Sequence, residues 1–285
     1  MAFIKLSAFS DEAGASLKEQ ISALSDNGIF LSELRSVGGK NVAEFTESEA
    51  KEIYSALHSE GIALSALGSP MGKVPISIDM DEYMDAVKHM CELACIFNTD
   101  RIRMFSFFNS HTERQRVIDN LCRMTELAAS YGVGLYHENE KGIYGDTAQR
   151  VLDLYNNVKG LRFVYDPANF LQVGESAEKT LPALVSISDY FHIKDVISDG
   201  GILVPAGEGD GDIPRLISMI DRDTVMTIEP HLAVFEGYDK IDGEKLNHKF
   251  FFESNRKAFD AAVNALKKLL SDSGYKAKDG GYEKC

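Results

Sequence analysis

Short runs of β-branched and apolar residues alternate along this 285-residue chain with longer polar stretches in which apolar residues return every three or four positions. The short runs predict eight strands, over 3–8, 30–35, 62–67, 101–106, 133–137, 161–165, 190–193 and 224–228. The helical period predicts helices over 16–26, 46–60, 81–97 and 112–131, with weaker helical signal after the sixth and seventh strands. Gly28, Gly61 and Gly132 each fall between a helical stretch and the next strand, where a C-terminal cap belongs.

Eight βα units without a linker or low-complexity break predict a single α/β domain, closed as a (β/α)8 TIM barrel. The competing open, doubly wound sheet usually carries a glycine-rich phosphate loop after its first strand, and SAFSDEAG is not one. The barrel is expected over residues 1–270. The closing segment 271–285, SDSGYKAKDGGYEKC, is polar and glycine-containing, and is expected to fray as a C-terminal tail.

Composition narrows the partners. A net charge of −14 argues against nucleic acid or an anionic membrane surface, since both select basic patches. No window approaches the roughly 18 consecutive apolar residues of a membrane span, and the N-terminus lacks the pattern of a secretory signal. Four cysteines without a CxxC pair fit reduced thiols in a cytoplasmic protein. Homo-oligomerisation stays open.

In barrels the chemistry lies at the C-terminal ends of strands. The last four predicted strands end in LYHENE, FVYDPAN, YFHIKD and MTIEPH, which deliver Glu138, Asp166, His192 and Glu229 about one βα repeat apart. Taken singly, Asp166 before Pro167 could cap a helix, and His192 could be a core histidine. Glu138 and Glu229 follow apolar runs predicted to be buried, where a lone carboxylate is expensive unless paired or metal-bound. Together the four point to one divalent metal. Three oxygen donors and one imidazole suit Mn²⁺, Mg²⁺ or Co²⁺, and Zn²⁺ as well. By strand parity Glu140 joins Glu138 and Lys194 joins His192 as substrate-binding candidates, whereas His137 faces the other way and reads as structural. His231, two residues beyond Glu229, and Glu208, in the loop GEGDGD, are further candidates for substrate contact.

The strings HENEKGIYGDT, YDPANF, FHIKD, GEGDGDIP and TIEPH resemble the sugar isomerase/epimerase superfamily with xylose-isomerase-like barrels (AP endonuclease family 2-like), and AFSDEA and SELR look like its first two strand ends. The resemblance implies Glu138, Asp166, His192 and Glu229 as metal ligands, with Glu138 and Glu229 also working as an acid/base pair on opposite faces of the substrate. The implied activity is metal-dependent isomerisation or epimerisation of a small sugar, sugar phosphate or ketose-like substrate, by proton abstraction next to a carbonyl. A metal-dependent lyase, of the inosose dehydratase type, would use the same metal and base and then expel a β-hydroxyl. An endonuclease IV-like DNA repair enzyme calls for a multinuclear zinc site and a basic surface, at odds with seven histidines and a charge of −14. A sugar-binding barrel without turnover would not need both glutamates. Ketose 3-epimerases tend to carry a histidine three residues after the aspartate. Here that position is Asn169, a candidate substrate ligand or helix cap.

Overall fold

The structure, a computed structural model, describes residues 2–236 and 247–285. All eight expected strands form: β1 (Phe3–Ala8), β2 (Leu31–Leu34), β3 (Ala63–Gly68), β4 (Arg101–Met104), β5 (Gly134–Glu138), β6 (Arg162–Tyr165), β7 (Tyr190–Ile193) and β8 (Thr224–Ile228). Each pairs in parallel with its sequence neighbour, and β1 closes on β8 from Ile4 opposite Thr224 to Ala8 opposite Ile228. The result is a (β/α)8 barrel.

The first three helices begin where side chains satisfy their free N–H groups. Ser16 with Glu19 and Thr46 with Glu49 form capping boxes at α1 (Leu17–Asp26) and α2 (Glu47–Ser59). Asp79 caps α3 (Met80–Ile96), and α4 (Arg114–Ser130) follows β4. Their apolar stripes, such as Val117, Leu121, Met124 and Ala128, pack on the outward face of the sheet in one large core. Each valine, leucine or methionine among them contributes roughly 1.5–3 kcal/mol on burial. A second, small cluster of Ala66, Tyr136, Val164 and Tyr190 lies on the opposite parity, inside the barrel.

The weak helical signal after the sixth and seventh strands has a structural reason. After β5 comes α5 (Ala148–Asn157), but β6 is followed by two short helices, α6 (Pro167–Gln172) and α7 (Ala177–Leu184). After β7 the chain makes a hairpin of Asp195–Ile197 with Ile202–Val204, and only then reaches the seven-residue α8 (Ile213–Met219). The last helix, α9 (Asn255–Asp272), closes the ring.

The expected frayed tail is instead a hairpin, β9 (Tyr275–Lys278) with β10 (Gly281–Lys284), and β10 pairs antiparallel with Phe3 and Ile4 of β1. Asp279 and Gly280, at φ 45° and 78°, form the left-handed turn that such a hairpin needs. Tyr275 is buried beneath it. Among the described residues, no helix is long and apolar enough to cross a membrane.

Candidate metal centre

Strand alternation aims the chemistry. On β5, β6 and β7 the interior residues Tyr136, Val164 and Tyr190 are each followed two positions later by Glu138, Asp166 and His192. Glu229 directly follows β8 and holds the same parity as Thr227. One donor atom from each of the four lies within 4.8 Å of the other three, and all four residues are buried. His192 Nδ1 is 3.1 Å from Glu138 Oε1 and 3.2 Å from Glu229 Oε2. Donors bonded at about 2.1 Å to a shared cation are spaced by roughly 3 Å, so this cluster is already close to coordinating geometry. Asp166 Oδ2, His192 Nδ1 and Glu229 Oε2 are shielded from solvent and have no hydrogen bond of acceptable geometry, although charged groups lie beside each. Three buried polar atoms turned on one point are what a cation would satisfy.

Each donor is held by a neighbour. Glu33, on β2 and fully buried, accepts from Tyr190 Oη (2.9 Å), Thr227 Oγ1 (2.8 Å) and His192 Nε2 (3.1 Å). A carboxylate only accepts, so Nε2 carries a proton and Nδ1 is the atom left for a metal. A register shift between Ser32 and Glu33 in the pairing of β2 with β3 re-aims this residue inward. Asp166 divides its oxygens. Oδ1 caps α6 by accepting from the Asn169 amide at 3.0 Å, and Oδ2 faces the cluster. Asn169 Nδ2 donates to Glu138 Oε1 (3.1 Å) and to the Asn139 carbonyl (2.9 Å). Asn139 in turn bonds both the amide and the carbonyl of Asp166.

Charge completes the setting. Arg103 Nε lies 3.2 Å from Glu138 Oε2, and Arg35 Nη1 donates to Glu229 Oε1 at 3.0 Å. Lys194 Nζ is 3.0 Å from Asp166 Oδ2 and 3.8 Å from Glu229 Oε2. Burial pushes Glu138 up, but the His192 and Arg103 charges outweigh it and hold the carboxyl below its usual range. Glu229 is likewise opposed by burial, yet Lys194 and His192 hold it well below. Burial raises Asp166 to about 7 despite Lys194. His192 is lowered by burial but held well above its usual range by Glu33 and Glu138. The carboxylates thus draw a positive charge onto the imidazole, and a divalent ion would compete with that proton for the same place.

The other candidates divide. Lys194 and His231 are buried at the cluster; His231 Nε2 lies 3.6 Å from Glu229 Oε1 and 3.4 Å from Glu12 Oε1. Glu140 pairs with Lys73 at 3.2 Å, close by in the loop after β5. Asn169 reaches the cluster through Glu138. Glu208 does not join it: it is exposed, and the glycine-rich loop is instead wrapped around Asp195, whose carboxylate accepts from the amides of Gly207, Gly209 and Gly211. A Cβ at Gly209 would stand 2.4 Å from Asp195 Oδ1, so the loop's glycines serve that wrapping. His137 faces the helices as expected and meets Ser106 Oγ at 2.8 Å.

Five charged residues with no role in the sequence reading complete the site: Asp11, Glu12, Glu33, Arg35 and Arg103. Four of them fall in AFSDEA and SELR, and the signal available was their position at the ends of the first two strands. Arg103 sits two residues before Phe105 on the inward parity of β4, a weaker cue.

The family model described as xylose isomerase-like TIM barrel matches residues 23–269. Solved structures share the fold at low identity. The IOLI protein, crystallised with a bound zinc atom, is 16% identical with a TM-score of 0.73, over 94% of this chain and 99% of that one. The D-allulose 3-epimerase of Methylomonas sp. is 14% identical with a TM-score of 0.72, over 94% and 100%. The probable 3-DHS dehydratase AsbF of Bacillus anthracis is 16% identical with a TM-score of 0.68, over 94% and 99%. Comparison with curated protein sequences finds no match.

Proposed function

The chain belongs to the xylose isomerase-like TIM barrel family, and on that premise we propose that it is a divalent-metal-dependent isomerase or epimerase of a small sugar or ketose-like substrate. The observation that carries this reading is the convergence of Glu138, Asp166, His192 and Glu229, with three buried donor atoms unsatisfied and turned on one point. The four fit a divalent ion in number, type and spacing. When bound, such an ion supplies Lewis-acid polarisation of a substrate carbonyl and positive charge against the negative charge that develops on its oxygen.

The protein's own groups account for the proton transfers. Glu138 ends β5 and Glu229 directly follows β8, three strands apart around the mouth, so they approach a bound substrate from two sides. Both are held as carboxylates, and each has one oxygen fixed by a neighbour: Glu138 Oε1 by Asn169, Glu229 Oε1 by Arg35. One, as the carboxylate, accepts the proton from the carbon next to the carbonyl. The other takes up a proton from solvent and delivers it to the opposite face, which inverts the centre, and the first then releases its proton to solvent. Lys194, Glu140 and His231 line the mouth as candidate contacts for substrate hydroxyls. D-Allulose 3-epimerase sharing the fold is in keeping with this reading.

Turnover of a panel of ketoses, inososes and hydroxypyruvate in D₂O with added Mn²⁺ tests it. The expected product carries one deuterium next to the carbonyl and is otherwise unchanged in mass. A product lighter by one water would move the assignment to a dehydratase, and a product free of deuterium to a hydride-shift isomerase. No turnover across the panel by metal-loaded protein would sink the reading.

A further inference from the structure

Beside the four-ligand cluster the barrel builds a second set of converging donors. Glu12, Glu229 and His231 are all buried and bring one donor atom each within 4.8 Å of the others. His231 Nε2 stands 3.4 Å from Glu12 Oε1 and 3.6 Å from Glu229 Oε1. Donors around one cation at bond lengths of about 2.1 Å are spaced by roughly 3 Å in octahedral and roughly 3.4 Å in tetrahedral geometry, so these three come near a coordination shell of the tetrahedral kind. Glu229 faces both sets: Oε2 turns to His192 and Oε1 to this one, the posture of a carboxylate bridging two cations. Glu12 is fixed in the same way. Its Oε2 accepts from the His231 amide at 2.8 Å, which leaves Oε1 facing the set. His231 holds a left-handed backbone, φ 47°, to make that contact, a conformation a residue with a Cβ adopts at a cost.

A cation is already there. Arg35 Nη1 lies 3.0 Å from Glu229 Oε1 and 3.5 Å from His231 Nε2, and Nη2 lies 3.3 Å from Glu12 Oε1. The guanidinium is locked from behind by Asp11, which accepts from Nε and Nη2 at 2.9 and 3.0 Å. It also lies over the rings of Phe9 and Phe235, at 4.4 and 4.8 Å. It is 2% exposed.

We propose that Arg35 is a built-in second cation, whose guanidinium plugs a latent metal site of Glu12, Glu229 and His231 and holds the centre to one metal. This rests on the four-ligand reading of the first site and goes beyond it. The planar, permanently charged fork suits the task, since it bonds Glu12 and Glu229 at once without offering an open coordination position. A centre fixed at one ion and one guanidinium has a bridging carboxylate like that of a two-metal site. It lacks the second metal that in-line displacement at phosphorus uses. Carbon-acid chemistry fits this centre better than phosphodiester hydrolysis does.

The test counts metal. Wild-type protein, Arg35→Met, and the charge-balanced double variant Asp11→Asn/Arg35→Met are stripped with chelator, titrated with Mn²⁺ to millimolar excess, desalted and analysed for bound ion. The expected stoichiometry is one per chain in wild type and two in the variants, with the second lost when His231→Ala is added. A second ion bridged to the first by Glu229 should also broaden the Mn²⁺ paramagnetic resonance signal. If Arg35→Met does not fold, the double variant carries the test, because removing Asp11 together with Arg35 leaves the local charge unchanged. Two ions in wild type, or one ion in a folded variant, would overturn the proposal. Zero ions in wild type would instead overturn the four-ligand reading beneath it.

Discussion

Strands β5 to β8 and strands β1 to β4 furnish the same mouth in different ways. The later half supplies the four donors, holds two of them with neutral groups, Asn169 on Glu138 and Asn139 with the α6 cap on Asp166, and adds a single fixed cation, Lys194, beside Asp166 and Glu229. The earlier half supplies no member of the four-donor cluster, but it sets fixed charges against that cluster: Glu33 on His192, Arg103 on Glu138, and Arg35 with Asp11 and Glu12 on Glu229. The difference matters energetically. A hydrogen bond from a neutral donor contributes about 1–3 kcal/mol net, the upper end when its acceptor is charged, whereas removing one partner of a buried ion pair costs roughly 3–5 kcal/mol because the other charge is stranded. The earlier half is therefore a stiff electrostatic frame, and the later half is where groups can exchange a proton or a ligand.

The largest effect should come from Glu138 and Glu229, the two donors proposed as the acid/base pair. Glu229→Gln keeps an amide oxygen for a metal but cannot accept a proton, so kcat should fall by about 10²- to 10⁴-fold with metal still bound. Glu138→Gln should do the same. Activity near wild type in either variant, measured at saturating Mn²⁺, would remove that residue from the acid/base pair.

A second effect separates the inward from the outward parity of one strand. His137, next to Glu138 but facing the helices, is pushed down to about 4 by burial. Between about pH 6.5 and 4 the unfolded chain holds a proton on this imidazole that the folded chain does not. Stability contributed by the neutral ring is thus complete above 6.5 and lost as pH falls, by about 3 kcal/mol at the bottom of the window. Denaturation of chelated wild type and His137→Gln at pH 7 and pH 4.5 isolates the term, since other titrating groups cancel in the difference. An unchanged difference at the two pH values would show that His137 titrates normally.

The frame itself is tested through Glu33. In Glu33→Gln the amide can no longer accept every donor that converges on it, so the orientation and basicity of His192 both suffer. Metal affinity should weaken ten- to a hundredfold, with kcat at saturating metal within a few-fold of wild type. Unaltered affinity would mean that the earlier half does not position the donors.

These two halves also differ in how far the amino-acid sequence reveals them. Barrel strands were legible to within a residue or two, because eight apolar runs are separated by helices of clear period. The donors were legible because each extends an apolar run at its C-terminal end. Glu33, Arg35 and Arg103 were not, since a charge near a strand end is usually solvated; what distinguishes them is three-dimensional pairing, which has no signature in spacing. Glu208 misled in the opposite direction. Its loop has the glycines of a ligand-binding turn, but they make room for the Asp195 carboxylate. The tail misled through its polarity, although Asp279-Gly280 between alternating residues is a hairpin signal in its own right.

The smallest effect sharpens the comparison most, because it asks what a neutral group in the later half does. Asn169 has two candidate roles, substrate ligand and support for Glu138. The structure puts its Nδ2 on Glu138 Oε1 and the Asn139 carbonyl, which uses both amide hydrogens and leaves Oδ1 as the atom available to a substrate hydroxyl. In Asn169→Ala the two donated bonds are lost, at about 1 kcal/mol for the one to the Asn139 carbonyl and roughly 1.5–3 kcal/mol for the one to the Glu138 carboxylate. If the residue supports Glu138, the loss appears in kcat, roughly five- to tenfold, with KM near wild type, because the catalytic carboxylate is less well held. If it is mainly a substrate ligand, KM rises and kcat is unchanged. Asn169→Ser, too short to bridge the same two acceptors, should track the alanine variant in the first case. The expected result is the kcat loss. A pure KM effect would move Asn169 to the substrate and leave Arg103 as the neighbour that holds Glu138.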